Sequence, residues 1–304
     1  MEKIIIIKNL NIAFNHNKEV IKNINLEIFK GKTTAIVGES GSGKTISALS
    51  ILKLIPNSAK ITAGEIFFKN KNILSLRNNE IQKIRGNKIS TIFQEPMTSL
   101  NPLHTINKQI EEIILTHNKI SRNDAKNKKI DLLKEVGLQD IAKRPKIYPY
   151  ELSGGQRQRV MIAMSIANNP DLIIADEPTT ALDVTIQMQI LDLLIDLQKK
   201  FGMTLLFISH DLSVIKKMAD FIYVMKDGEI IENGTRDKIF NRAEKKYTKE
   251  LILSQSKKKI YFNKSANVVL EVKNLDVWYP IKKGLLKKTI DHVKAINKIS
   301  FNLK

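Results

Sequence analysis

The sequence predicts an α/β core on a mainly parallel sheet, with antiparallel strands at the N-terminus and a helical block inserted into the core. Three observations predict this. Short runs that read as buried strands, at residues 33–37, 172–175 and 204–208, alternate with stretches of helical periodicity, which is the pattern of βαβ units. The first of these runs leads into Gly38-Glu39-Ser40-Gly41-Ser42-Gly43-Lys44-Thr45, which fits G-x-x-x-x-G-K-[ST] in the strand–loop–helix context that the pattern requires. Residues 95–167 then turn helical over a span too long for a simple crossover, so they read as an inserted helical subdomain.

In chain order, residues 4–10 and 24–28 read as early strands; Ile24, Leu26 and Ile28 alternate with polar neighbours. Glycines 38, 41 and 43 let the next loop curl with its N–H groups pointing inward, and the helix expected over residues 46–55 adds partial positive charge at its start. Lys44 can then reach the β- and γ-phosphates of a nucleotide, and the Thr45 hydroxyl can ligate Mg²⁺. The bland alternative is a Gly/Ser-rich surface loop. Residues 65–68 and 89–93 are further strands. Apolar residues at helical spacing mark residues 106–117 and 124–136, and Gly137 stops the second helix. Ile186, Ile190, Leu193, Leu194 and Leu197 line one helix face. Residues 221–225 form a strand, and Asp227-Gly228 turns it back into residues 229–231.

The 304 residues carry a formal charge of +19 and no cysteine. The lack of cysteine rules out disulfides, thiolate metal sites and a cysteine nucleophile. The positive charge allows attraction to nucleic acid or anionic lipid. Its lysines are dispersed along an Asn- and Ile-rich chain, however, with no interleaved aromatics, so biased composition is the preferred reading and no nucleic-acid partner is expected. The N-terminal run Ile4-Ile5-Ile6-Ile7 is too short for a secretory segment, and no run approaches the length that crosses a bilayer, so the expected site is the cytosol or a membrane surface reached through a partner.

Residues 254–267 are polar and lysine-rich and read as a linker. An internal repeat follows. Val272-Lys273-Asn274-Leu275-Asp276-Val277 echoes Ile7-Lys8-Asn9-Leu10-Asn11-Ile12, and Ile296-Asn297-Lys298-Ile299-Ser300-Phe301 echoes Ile21-Lys22-Asn23-Ile24-Asn25-Leu26. Residues 1–253 are thus expected to form one complete domain and residues 268–304 the opening of a second. The last residue, Lys304, falls just short of where a second phosphate loop would begin, which reads as a truncated product.

Five further elements follow the phosphate loop: Gln94 after a strand; Leu152-Ser153-Gly154-Gly155-Gln156 before a helix; Asp176-Glu177 at a strand end; Ala181-Leu182-Asp183; and His210 at another strand end. In this order the set resembles the ATP-binding-cassette (ABC) ATPases, over residues 1–253 and again from about residue 268. The resemblance implies the phosphate-loop NTPase fold, ATP and Mg²⁺ as cofactors, and a set of roles. Asp176 would hold Mg²⁺ through water, with Thr45 and Gln94 as further ligands, and Glu177 would polarise the attacking water. His210 would donate to the γ-phosphate, and Gln94 would sense nucleotide and move the helical subdomain. Phe14 falls where the family stacks an aromatic on adenine; a core phenylalanine is the alternative. The helix start at Ser153, Gly154, Gly155 and Gln156 would meet the γ-phosphate bound to an opposing domain, and Asp183 would be a further ATP-binding residue, so that two domains close head to tail around two ATPs.

The segment 93–102, the Tyr148-Pro149-Tyr150-Glu151 run, residues 176–183 and the block Tyr247-Thr248-Lys249-Glu250-Leu251 look like the dipeptide/oligopeptide importer branch. Residues 278–286 resemble the opening of its partner ATPase. A single chain joining both is similar to the duplicated peptide importer ATPases of the microcin C and glutathione type. The partners implied are polytopic membrane permease subunits, a second ABC ATPase domain and, indirectly, an extracytoplasmic solute-binding protein, with the ATPase held peripherally at the cytoplasmic face of the membrane. The alternatives are a soluble ABC protein acting on ribosomes or nucleic acid, and a non-hydrolysing remnant. The truncation reading expects residues 268–304 to be loosely held.

Overall fold

The computed structural model describes residues 2–14, 18–95, 99–180, 182–256, 267–283 and 288–303. They fall into two compact units, Met1–Ser256 and Lys257–Lys304.

In the first unit, β1 (Lys3–Phe14) and β2 (Lys18–Phe29) pair antiparallel, and β4 (Ala59–Phe68) pairs with the other edge of β1. With β5 (Lys71–Asn72) they make a four-stranded sheet in the order β2-β1-β4-β5. Both leading strands run longer than their alternation suggests. The register shifts between Ile7 and Leu10 and again between Leu10 and Ile12, with Asn9 and Asn23 in the left-handed region at φ 48° and 49°. Asparagine tolerates that backbone. Asn25 and Asn11 then satisfy the amides the bulges free: Asn9 N–H donates to Asn25 Oδ1 at 3.0 Å, and Asn23 N–H to Asn11 Oδ1 at 2.9 Å. Each bulge keeps Ile5, Ile7, Leu10, Ile12, Ile24, Leu26 and Ile28 on the buried face.

The second sheet has the order β10-β9-β3-β8-β7-β6. Its strands are β3 (Thr33–Val37), β6 (Ile89–Ile92), β7 (Leu172–Asp176), β8 (Thr204–Ser209), β9 (Phe221–Lys226) and β10 (Glu229–Thr235). All pairs are parallel except β9–β10, which the Asp227-Gly228 turn joins with both residues at positive φ. Every residue of β3, β7 and β8 is buried, as a parallel sheet covered on both faces requires. Alternate residues serve opposite cores. Ile36, Ile174, Leu206 and Ile208 pack toward the antiparallel sheet and α1 (Lys44–Ser50). Ala35, Val37, Ile173, Leu205 and Phe207 pack with the helices on the other side.

Those helices include α3 (Ile106–His117), α4 (Arg122–Glu135), α6 (Gly154–Ile166) and α7 (Val184–Phe201); α2 (Asn78–Gln82) and α5 (Gln139–Ala142) are shorter. Thr105, Ser121, Ser153 and Asp183 cap the four long ones with side-chain oxygens. Helix α1 is shorter than the 46–55 expectation. Its last amides bond three residues back, Lys53 turns left-handed, and Arg85 takes the freed carbonyls of Leu52 and Lys53. Helices α8 (Leu212–Met218), α9 (Arg236–Asn241) and α10 (Lys246–Ser256) complete the unit. Residues 254–256, expected in the linker, are thus the last turn of α10; residues 257–266 lie outside the described residues.

The second unit is one hairpin, β11 (Leu270–Lys283) with β12 (Lys288–Leu303). From Val272 to Trp278 it repeats the register shifts that β1–β2 shows from Ile7 to Ala13. Asn274 and Lys298 sit at φ 50° and 49°, and the register shifts on both sides of Leu275. Asn274 N–H donates to Ser300 Oγ at 2.9 Å and Lys298 N–H to Asp276 Oδ1 at 2.8 Å, the positions taken by Asn25 and Asn11 in the first copy.

Candidate functional site

The parallel order β3-β8-β7 brings three strand ends to one edge, pairing Val37 with Ser209 and Asp176 with Ile208. The segments that follow these strands, at residues 38–45, 210 and 177, therefore converge where ligands bind in open α/β sheets.

The loop 38–43 needs its glycines for two different reasons. Gly41 (φ 82°) has open space around it, so its backbone angle alone demands glycine. At Gly38 and Gly43 the obstacle is approach: a Cβ would strike the Met225 carbonyl at one and the Ile21 side chain at the other. The neighbouring turn grips the loop, as Gly228 N–H donates to the Ser42 carbonyl at 3.1 Å. Glu39, Ser40 and Gly41 are exposed, and the buried Ser42 hydroxyl has no hydrogen-bond partner among the described residues.

Lys44 is only 5% exposed. Its ammonium donates to the carbonyls of Gly38 at 2.9 Å and Glu39 at 2.8 Å. Burial lowers its pKa, opposed by the carboxylates of Glu177, Asp176 and Glu39. Thr45 Oγ1 donates to Asp176 Oδ1 at 3.1 Å. Burial raises the pKa of Asp176, the Thr45 bond pulling the other way.

Glu177 is the hub of the site. It sits in the left-handed region at φ 44°, its N–H held by the Ile208 carbonyl at 3.0 Å. A non-glycine residue in that region is held by its surroundings. Its Oε2 accepts from Gln94 Nε2 at 3.2 Å and from Thr180 Oγ1 at 3.0 Å, and its Oε1 lies 3.0 Å from His210 Nδ1. Gln94, Glu177 and His210 were singled out in the sequence; Thr180 was not, although its place three residues after Glu177 on the same turn was the available signal.

The other expected residues lie apart from this cluster. Ser153 and Gln156 form a reciprocal capping box: Gln156 N–H donates to Ser153 Oγ at 3.3 Å, and Ser153 N–H to Gln156 Oε1 at 3.0 Å. Asp183 caps α7 through the Ile186 amide at 2.9 Å. Ser153, Gly154, Gln156 and Asp183 are exposed. Gly154 and Gly155 pack on Leu182 and Ile186, so the two helix starts form one surface. Ala181 lies outside the described residues, as do Pro96, Met97 and Thr98 of the segment after Gln94. Phe14 is half-buried against the core between the sheets.

Residues 21–180 match the family model described as ABC transporter. The chain is 49% identical over 252 residues to the oligopeptide transport ATP-binding protein OppD of Bacillus subtilis, covering 82% of this chain and 70% of that protein. The chain belongs to the ABC transporter family. Its ABC cassette resembles a solved dimer of the ATP-binding cassette MJ0796 in a post-hydrolysis state bound to ADP and Pi, with 32% identity and a TM-score of 0.67 over 76% of this chain and 98% of that one. It also matches the peptidoglycan transport ATP-binding protein YejF of Agrobacterium fabrum, 46% identical over 303 residues and 98% of this chain. The chain spans 56% of that relative's length. No helix among the described residues of this ABC protein is long and apolar enough to cross a membrane.

Proposed function

We propose that the chain is the ATP-hydrolysing part of an importer for peptides or peptide-like solutes. One observation carries the hydrolytic reading. Lys44, the Thr45–Asp176 pair and the Glu177–Gln94–His210 cluster meet at the carboxyl edge of one sheet. The residues fit ATP with Mg²⁺. The orphan Ser42 hydroxyl and the curled backbone suit a phosphate, and the Thr45 and Asp176 oxygens suit a cation that takes few protein ligands and keeps the rest of its shell for phosphate and water. Bound there, Mg²⁺ would neutralise charge on the phosphates. Lys44 would leave the Gly38 and Glu39 carbonyls for phosphate oxygens. Glu177, held by Gln94 and Thr180, would orient the attacking water and draw its proton, with His210 facing the γ-phosphate.

The peptide reading rests on the relatives, whose names include oligopeptide and dipeptide transport. Partners follow from it: membrane permease subunits, a second ATPase domain across the exposed Ser153–Gln156 and Asp183 surface, and a solute-binding protein acting indirectly. The chain would sit at the cytoplasmic face of the membrane through those permeases. Phe93 and Leu54, 42% and 36% exposed, border an apolar cavity of about 280 Å³ beside Gln94, a surface suited to a permease helix. We further propose that residues 268–304 open a second cassette of the same kind, as in fused two-ATPase importers. The repeated bulge and its two side-chain-to-amide bonds support this, as does a match to YejF that runs across both units.

The test is magnesium-dependent ATP hydrolysis by the purified chain, with co-purification of a polytopic membrane protein from its native host. Absence of any magnesium-dependent adenine nucleotide affinity would end the hydrolytic reading. Salt-sensitive RNA binding in place of a membrane partner would end the importer reading.

A further inference from the structure

We propose that Tyr247 is a positioning residue of the phosphate loop, so that helix α10 is part of the nucleotide site; this rests on the nucleotide reading above. The Glu39 N–H donates to the Tyr247 hydroxyl at 3.4 Å, across 208 residues of sequence. The ring is half-buried against the core on the helical side, and the Lys226 ammonium stands 4.8 Å from its centroid. Tyr247 is thus held at its face by the strand that ends at the Asp227-Gly228 turn, while that turn holds the Ser42 carbonyl.

The helix that carries Tyr247 is itself pinned. Glu232, buried in β10, accepts the Glu244 N–H at 2.8 Å and the Lys245 N–H at 3.2 Å, immediately before α10. Burial opposes ionisation of Glu232, but these bonds, with Lys238 nearby, outweigh it and hold its pKa below the usual carboxylate value. A carboxylate with a depressed folded pKa stabilises above its unfolded pKa and loses that contribution as pH falls through the folded one. The pin is therefore fully set at neutral pH. From Glu232 through α10 to Glu39, a chain of contacts fixes one end of the loop whose other end is Lys44.

A loop held at Glu39 loses less conformational freedom when it closes on phosphate, so removing the hydroxyl weakens binding and leaves the chemical step alone. The test compares Tyr247→Phe, Tyr247→Ala and wild type in the full chain. Amide exchange at residues 38–45 without nucleotide, affinity for a fluorescent ATP analogue, and kcat with KM for ATP are measured. One hydrogen bond corresponds to about a three- to ten-fold effect. Tyr247→Phe is expected to speed loop exchange and raise Kd and KM by that factor, with kcat unchanged, and Tyr247→Ala to do at least as much. Wild-type exchange and affinity in Tyr247→Phe would overturn the proposal, as would a loss confined to kcat. Absence of nucleotide binding by wild type itself would instead count against the nucleotide reading, while the exchange data still judge the Tyr247–Glu39 contact.

Discussion

Gln94 donates to Glu177 across 83 residues of sequence, at 3.2 Å. The bond ties the strand end that enters the helical block to the carboxylate at the end of β7. Because Oε2 is shared with Thr180 and Oε1 faces His210, the carboxylate has one orientation.

That orientation is what a base for water needs. Glu177→Gln keeps the shape and most of the hydrogen bonds but cannot take a proton. ATP affinity is expected within about three-fold of wild type, with turnover reduced by about 10²- to 10⁴-fold. Parallel binding and phosphate-release assays check this, and equal turnover would remove Glu177 from its role.

Asp176 gives a stability effect of opposite sign to its functional one. Its folded pKa is raised, first by burial, so the native state holds the proton to higher pH than the unfolded chain does. Ionising it therefore costs stability as pH rises through its folded pKa. Without Mg²⁺ at neutral pH, Asp176→Asn is expected to raise Tm while abolishing magnesium-dependent hydrolysis. Calorimetry with and without Mg²⁺ decides it; a lower Tm in the variant would contradict the assignment.

Much of this site was legible because a glycine-rich loop and two strand ends each carry a chemically specific residue: Lys44, Asp176, Glu177 and His210 were named from the sequence and lie at one edge of the sheet. Less legible were contacts whose partners have no fixed spacing. Nothing in Tyr247 or Glu232 announces a bond to Glu39 or to the Glu244 amide, because tertiary packing alone brings them together. The length of β1 and β2 was hidden for a different reason. Each bulge reverses the parity of alternation, so a period-two reading ends the first strand at Leu10 although β1 runs on to Phe14, and starts the second at Ile24 although β2 begins at Lys18.

Gly155 tests the surface assigned to the opposing domain. A Cβ there would stand 2.7 Å from Ile186 Cγ2, between the helix start at Ser153 and the one capped by Asp183. Gly155→Val is expected to cost about 1–3 kcal/mol and to abolish ATP-dependent self-association. Adding Ile186→Ala should recover most of the Tm, since it removes the struck methyl. Failure of that rescue in thermal unfolding would show that the glycine serves something other than this close approach.

The two hairpins allow a matched comparison. Leu26 is 2% exposed inside the first unit, and its repeat partner Phe301 is 49% exposed. Leu10 and Leu275 differ in the same way, at 0% and 37%. Among the described residues the backbone irregularity is repeated but the burial of its apolar side chains is not, so equal substitutions should have unequal costs. Leu26→Asp buries an unpaired carboxylate and is expected to unfold the first unit or cost it several kcal/mol. Phe301→Asp in the same chain is expected to leave the main thermal transition within about 1 °C, because surface changes remain near ±0.5 kcal/mol. Differential scanning calorimetry of the two variants checks the contrast. A large loss from Phe301→Asp would contradict the difference in exposure between the two hairpins.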